Sequence, residues 1–415
     1  MPLHRRTFLS LAGLGWMTPV GRLLARQAEA EGSRGPARSV ILLWLAGGPS
    51  QLDTFDPHPG TSFAGGVKAI DTAARGVRLA SGFERLADQM GSVALVRSMI
   101  SKEGDHERGT YMLKTGYRPD PTVVHPSIGA ICCHELPVGS TEVPRHISIL
   151  AGQWPGRGGF LGAEFDAFQV HDPRGRLPDV ARQVSAVRDE RRVQDLDVVE
   201  RAFSRRRKAP MDATLHRETI AAARTMMTSE QLKAFDVSQE PASLRADYGD
   251  SAFGRGCLAA RRLIEVGVRC VEVTLGGWDS HVNNYEVHRK LVAQLDPAFA
   301  ALLADLRARE LLDRTVVLCC GEFGRTPRIN PLGGRDHWPT GFSLALAGGG
   351  LRGGFALGET DPEAVKAPVA PTTVQDVHAT ILTALGLDPI RENVAPLTGR
   401  PIKLSEGRAV KSLIG

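Results

Sequence analysis

Short unbroken apolar runs alternate along this chain with longer stretches in which apolar residues recur every three or four positions. Ser39–Ala46 is apolar at nearly every position and runs into Gly47-Gly48-Pro49. A run of that length without polar alternation predicts a strand covered on both faces, as in a parallel sheet, with a loop opening at its carboxyl end. Similar runs predict strands at Ser92–Arg97, His146–Leu150, Val268–Leu275, Thr315–Cys320 and Phe342–Ala347. Helical spacing predicts helices between them at Phe83–Met90, Gly109–Thr115, Pro126–His134, Phe253–Val266, Tyr285–Leu311 and Thr373–Leu385. Strands alternating with helices predict an α/β fold, a mostly parallel central sheet with helices on both faces. Residues 179–239 break the rhythm. They are rich in Arg, Glu, Ala and Gln, and they predict a largely helical insertion.

Composition narrows the class. The chain has 415 residues, 42% hydrophobic and 23% charged, which excludes disordered, collagen-like and disulfide-scaffold proteins. Aromatic residues make up only 6% and no basic patch is interleaved with them, so a nucleic-acid groove is not expected. The formal charge of +5 shrinks to near +2 once residues 1–30, with four arginines and one glutamate, are set aside. Little electrostatic attraction to acidic partners is then left. That segment reads as an address. Arg5-Arg6-Thr7-Phe8-Leu9 resembles a twin-arginine export motif, Leu11–Leu24 is weakly apolar, and Ala28-Glu29-Ala30 suits a signal peptidase. Cleavage would leave a mature chain starting near Glu31, with no integral membrane segment, in the periplasm or outside the cell. The six cysteines include two adjacent pairs and no Cys-x-x-Cys spacing; most lie in apolar runs, which predicts buried structural thiols.

Ligands of open α/β sheets bind outside the carboxyl ends of the strands. The loops predicted there carry metal-ligand residue types. Asp53 follows the first strand, and Asp105-His106 follows the second and leads into a helix. Asp279-Ser280-His281 follows the Val268–Leu275 strand, Glu322 follows Thr315–Cys320, and Asp336-His337 precedes Phe342–Ala347. Carboxylates mixed with imidazoles suit a borderline divalent cation, zinc or manganese, better than the all-oxygen shells of calcium or magnesium. Each pair alone reads equally well as a cap, an Asx turn or a salt bridge. Their joint placement at strand ends is the stronger signal.

Four motifs carry a resemblance. They are residues 45–57 (LAGGPSQLDTFDP), His106 to Thr115-Gly116, Gly277-Trp278-Asp279-Ser280-His281, and Gly321-Glu322-Phe323-Gly324-Arg325-Thr326-Pro327. With them the chain resembles the exported bacterial family known as domain of unknown function fifteen-oh-one, over nearly all of residues 39–390. More remotely it resembles the alkaline-phosphatase/sulfatase superfamily. The resemblance implies an alkaline-phosphatase-like domain over residues 38–400. It places His106 at the nucleophile position, ten residues before Gly116, Glu322 at an aspartate ligand, and His337 at a late active-site histidine. Asp279 and His281 resemble the ligands of a first metal.

The chain also departs from that pattern. Gly47-Gly48 stands where active members place a metal-binding aspartate, so Asp53 is the expected replacement. Phe323 stands at a histidine ligand, His106 replaces a serine, threonine or modifiable cysteine, and there is no Cys-x-Pro-x-Arg sulfatase signature. The expectation is one metal held by some of Asp53, His106, Asp279, His281, Glu322 and His337. His106 and Arg325 would be catalytic, Arg325 by steadying developing negative charge. The implied activity is metal-dependent hydrolysis of a small anionic ester or sulfated glycan. The alternative is a non-catalytic descendant that binds anionic glycans or a protein partner in the cell envelope.

Overall fold

The computed structural model describes residues 35–415 except 64–65, 175–176, 178–179, 181–182, 205–215 and 364. The export motif and the cleavage site lie outside the described residues. Among those described, nine strands form one sheet. Eight lie in the spatial order Phe355–Leu357, Val93–Ile100, Phe342–Gly348, Thr315–Cys320, Ser39–Ala46, Cys270–Gly276, His146–Ile149, Phe168–Val170. The ninth, Thr372–Thr373, also pairs with Val93–Ile100. Phe342–Gly348 runs antiparallel to both its neighbours, and the other pairings are parallel.

The apolar runs are continuous because each central strand is covered twice. Ile41, Leu43 and Leu45 face a core that includes Leu258, Leu263, Phe299 and Leu303 of the Ala252–Glu265 and Asn284–Ala308 helices. Val40, Leu42 and Trp44 face the opposite core, with Met112, Ile131, Val377 and Ile381. That core belongs to the helices His106–Thr115, Ile128–Glu135 and Val374–Ala384. The arrangement is a mixed α/β/α sandwich with a mostly parallel sheet. Within residues 179–239 the described part holds the helices Ala186–Ser204 and His216–Thr228, followed by the short turns Glu230–Phe235 and Val237–Gln239. All six cysteines are buried, free thiols. Among the described residues, no helix is long and apolar enough to cross a membrane.

Topology decides where the chemistry collects. Four strands, Ser39–Ala46, Val93–Ile100, Cys270–Gly276 and Thr315–Cys320, point their carboxyl ends to one rim of the sheet. Phe342–Gly348 runs the other way, so the segment that precedes it, with Asp336 and His337, enters at that same rim.

Candidate metal centre

His106 is the first residue of its helix. Asp105 caps that helix, its carboxylate accepting from the backbone N–H groups of Glu107 and Arg108, and Gly116 ends it in the left-handed conformation at φ 77°. The cap fixes the start of the helix, which swings the His106 ring over the rim. Glu322 lies just past the Thr315–Cys320 strand and is 2% exposed. Its Oε1 accepts from His106 Nδ1 at 2.7 Å and from the backbone N–H of Gly47 at 2.9 Å. This bond, helped by the Asp279 charge and opposed by burial, holds the His106 imidazole above its ordinary pKa.

The other two histidines are tethered in the same way. His281 Nδ1 donates to Asp336 Oδ1 at 2.9 Å, and His337 Nδ1 donates to the Gly104 carbonyl at 2.8 Å. Burial lowers the His337 pKa, and the nearby charges of Arg325 and His106 add to the effect. With each Nδ1 occupied, the Nε2 atoms converge on the Asp279 carboxylate. His106 Nε2 lies 3.4 Å from Oδ2, and the Nε2 atoms of His281 and His337 lie 3.1 and 3.3 Å from Oδ1. The Nε2 atoms of His281 and His337 are themselves only 3.1 Å apart. One donor atom from each of His106, Asp279 and His337 fits within 4.8 Å of the others.

Arg325 is completely buried behind Asp279. Its Nη2 donates to Asp279 Oδ1 at 2.5 Å and to the Gly47 carbonyl. Its Nε donates to the Gly48 carbonyl at 2.8 Å and its Nη1 to the Arg335 carbonyl at 3.1 Å. Burial works to raise the Asp279 pKa, but the hydrogen bond and charge of Arg325 outweigh it and the carboxyl stays below its usual range. Every guanidinium nitrogen is thus engaged. The structure makes Arg325 the support of Asp279, and its donors do not face open space where a substrate would lie. Phe323 fills the floor, with its ring centroid 4.4 Å from that of His337 and 5.1 Å from that of His106. A side chain at Gly48, which has φ 73°, would meet the Phe323 ring at 2.7 Å. One at Gly47, at φ 115°, would run into the backbone of Trp278 and Asp279. The first strand therefore ends in two residues that only glycine fits here, and it offers carbonyls to Arg325 instead of a carboxylate to a metal.

Of the residues nominated from sequence, the structure brings together His106, Asp279, His281 and His337, with Glu322 and Arg325 directly behind them. Asp53 is not brought to this cluster. It is buried, and its Oδ2 accepts from Arg335 Nε at 3.0 Å and from Asn284 Nδ2 at 2.9 Å. Sequence reasoning named Asp336 beside His337 without giving it a role, and it missed the Gly104 carbonyl and Asn330, whose Nδ2 donates to the His281 carbonyl at 3.0 Å and to Asp336 Oδ1 at 3.2 Å. It also missed His288, buried, whose Nε2 accepts from the Ser50 backbone N–H at 2.8 Å. Only Asp336 left a local signal, as a carboxylate beside His337.

Residues 37–414 match the family described as "Protein of unknown function (DUF1501)". The chain belongs to this family. No curated protein matches the chain. Among solved structures it is similar to a lipoteichoic acid synthase from Listeria monocytogenes, at 10% identity, covering 90% of this chain and 75% of that one with a TM-score of 0.41. It is also similar to a sulfatase from Pseudoalteromonas sp., at 12% identity, 88% and 70% coverage and a TM-score of 0.40. A third likeness is to an alkaline phosphatase from the Antarctic bacterium TAB5, at 13% identity, 85% and 99% coverage and a TM-score of 0.37.

Proposed function

We propose that this family member is an exported hydrolase of phosphate or sulfate esters that works with one divalent cation, zinc or manganese, held by His106, Asp279, His281 and His337. A single observation carries the reading. Three imidazoles donate through Nδ1 to fixed acceptors, which leaves three Nε2 lone pairs facing one another and a carboxylate. Lone pairs and negative oxygens at 3.1–3.4 Å repel unless a cation or added protons lie among them, and a divalent cation satisfies all four groups at once. Metal-ligating histidines are held in this manner, the other ring nitrogen tied to a carboxylate or carbonyl. Three nitrogens and one carboxylate suit a tetrahedral borderline ion.

When bound, such a cation polarises an ester oxygen and lowers the pKa of a water to make a nucleophile. The chain's own residues supply the setting. Glu322 fixes the His106 ring, Arg325 keeps Asp279 ionised and in place, and Phe323 packs against the His106 and His337 rings. His106, His281 and His337 retain 26, 42 and 25% of their side-chain exposure, so the cluster is open to an arriving ester. That openness favours catalysis over the alternative of a non-catalytic envelope binding module, which would tolerate a buried His106. The twin-arginine motif supports export of the folded chain to the periplasm or beyond.

The test is metal content by inductively coupled plasma mass spectrometry on the purified protein, beside His106→Ala and His281→Ala. About one zinc or manganese per chain, lost in both variants, together with turnover in a screen of phosphate and sulfate esters, is the expected result. A folded protein that takes up no metal overturns the reading.

A further inference from the structure

Asp53 stands where two loops meet. One, residues 279–284, carries Asp279 and His281; the other, residues 325–337, carries Asp336 and His337. To the first loop Asp53 is joined through Asn284, which is fully buried at the start of the Asn284–Ala308 helix. Asn284 Nδ2 donates to Asp53, and Asn284 Oδ1 accepts from Ser280 Oγ at 2.7 Å. Ser280 lies between the two ligands in sequence and spends its hydroxyl on this contact. To the second loop Asp53 is joined through Arg335, also fully buried. The remaining Arg335 donors go to the carbonyls of Thr326, Pro327 and Phe63, while its own backbone N–H donates to the Ser280 carbonyl at 2.9 Å. Among the described residues, Asp53 is the one carboxylate paired with Arg335.

We propose that Asp53 is a positioning residue, a single buried carboxylate that holds both ligand-bearing loops in register and so sets how tightly the cluster binds its metal, without touching the metal. The proposal rests on the metal reading above. Its physical basis is that both connections end on the same oxygen. Arg335 Nε and Asn284 Nδ2 must approach Asp53 Oδ2 together, so Ser280 and Arg335, and with them the residues on either side, are fixed relative to one another. Ligands that converge within a few ångströms from separate loops lose affinity when those loops drift, and outer partners of metal ligands are worth about 10- to 100-fold in metal affinity. The negative charge matters as well as the shape. Asp53→Asn would keep an acceptor for Asn284 but leave the Arg335 guanidinium buried without a counter-charge.

The experiment is zinc affinity of the full chain, measured by competition with a chromophoric chelator, for the wild type, Asp53→Asn, the double variant Asp53→Asn/Arg335→Met, and His281→Ala as a ligand deletion. Asp53→Asn should bind zinc about 10- to 100-fold more weakly, with an unchanged donor set by X-ray absorption. The double variant, which removes the stranded charge and so guards against misfolding, should remain weakened because the loops are still untied. Unchanged affinity in the double variant overturns the proposal, even if the melting temperature falls. So does loss of an oxygen donor from the zinc shell in Asp53→Asn, which would make Asp53 a ligand. If the wild type binds no zinc, the metal reading fails separately. The positioning role is then read from the side-chain ¹H–¹⁵N signals of His281 and His337 in metal-free protein. These should shift in both Asp53 variants, and signals that stay in place overturn it.

Discussion

Glu322 shows how one side chain reaches the chemistry through another. Its carboxylate is buried in the bend just past the Thr315–Cys320 strand and touches His106 through Nδ1, the nitrogen that faces away from the Asp279 cluster. It fixes the tautomer, aims Nε2 and raises the basicity of the ring. Glu322→Gln keeps the shape and removes the charge. Its amide can present either an oxygen or an N–H to His106, so the tautomer is no longer dictated. Zinc affinity in Glu322→Gln is expected to fall about 10- to 100-fold with little change in the circular dichroism spectrum. Chelator competition checks it, and wild-type affinity would show that His106 needs no such anchor. Arg325 carries the same lesson. Its sequence position suggested contact with a substrate, yet its donors are spent on Gly47, Gly48, Arg335 and Asp279.

At the scale of elements, the His106–Thr115 helix matters most, because its start sets the position of His106. Its far end is held from the C-terminal side of the chain. His378, buried in the Val374–Ala384 helix, donates from Nε2 to the Leu113 carbonyl at 2.8 Å, and Gly116 packs against its ring. Burial depresses the His378 pKa from 6.5 to about 4. The folded protein therefore holds this ring neutral while the unfolded chain protonates it below about pH 6.5. The contribution is fully present above pH 6.5 and is lost as pH falls towards about 4. By this linkage the free energy of unfolding should drop by about 2 kcal/mol between pH 7 and pH 5 through His378 alone. His378→Gln, which has no titrating proton, should show a correspondingly flatter fall in urea titrations at the two pH values. An equal fall in both proteins would refute the assignment.

For the whole molecule, the helices on the Ile41 face of the sheet are held to one another by a buried ionic network as well as by the apolar core. Arg261 is fully buried and reaches Glu240 at 2.8 Å, Glu265 at 2.6 Å and Asp305 at 2.8 Å. These carboxylates come from the segment after residues 179–239 and from the Ala252–Glu265 and Asn284–Ala308 helices. Arg309 and Arg262 share them, and Tyr248 donates to Asp305 at 3.0 Å. Arg261→Met keeps the length and apolar stem of the side chain and removes its charge. Because the carboxylates retain other partners, the cost should sit near the low end for a broken buried pair, about 3 kcal/mol. Denaturant unfolding measures it, and a loss below about 1 kcal/mol would mean that the network is no stronger than a surface salt bridge.

Periodicity in the sequence was enough to place the six central strands and the helices between them to within a few residues, because burial on both sides leaves strands such as Ser39–Ala46 and Thr315–Cys320 apolar throughout. It also put His106, Asp279, His281 and Glu322 just past carboxyl ends of strands, which a parallel sheet gathers at one rim, whereas His337 reaches that rim only because Phe342–Gly348 runs backwards. The short strands Phe168–Val170, Phe355–Leu357 and Thr372–Thr373 left no such signal. They lie at or beside the sheet edges, where two or three residues suffice and no double covering forces an apolar run. The reversed direction of Phe342–Gly348 was equally silent, for a strand's apolar pattern reads the same either way. Which carboxylates and cations face the cluster and which stand behind it was decided by tertiary structure alone. Asp53, Arg325 and Arg335 take their roles from hydrogen bonds to residues mostly hundreds of positions away. Local sequence fixes only a side chain's type and its element, whereas its partner depends on how the loops of several strands pack together at the rim.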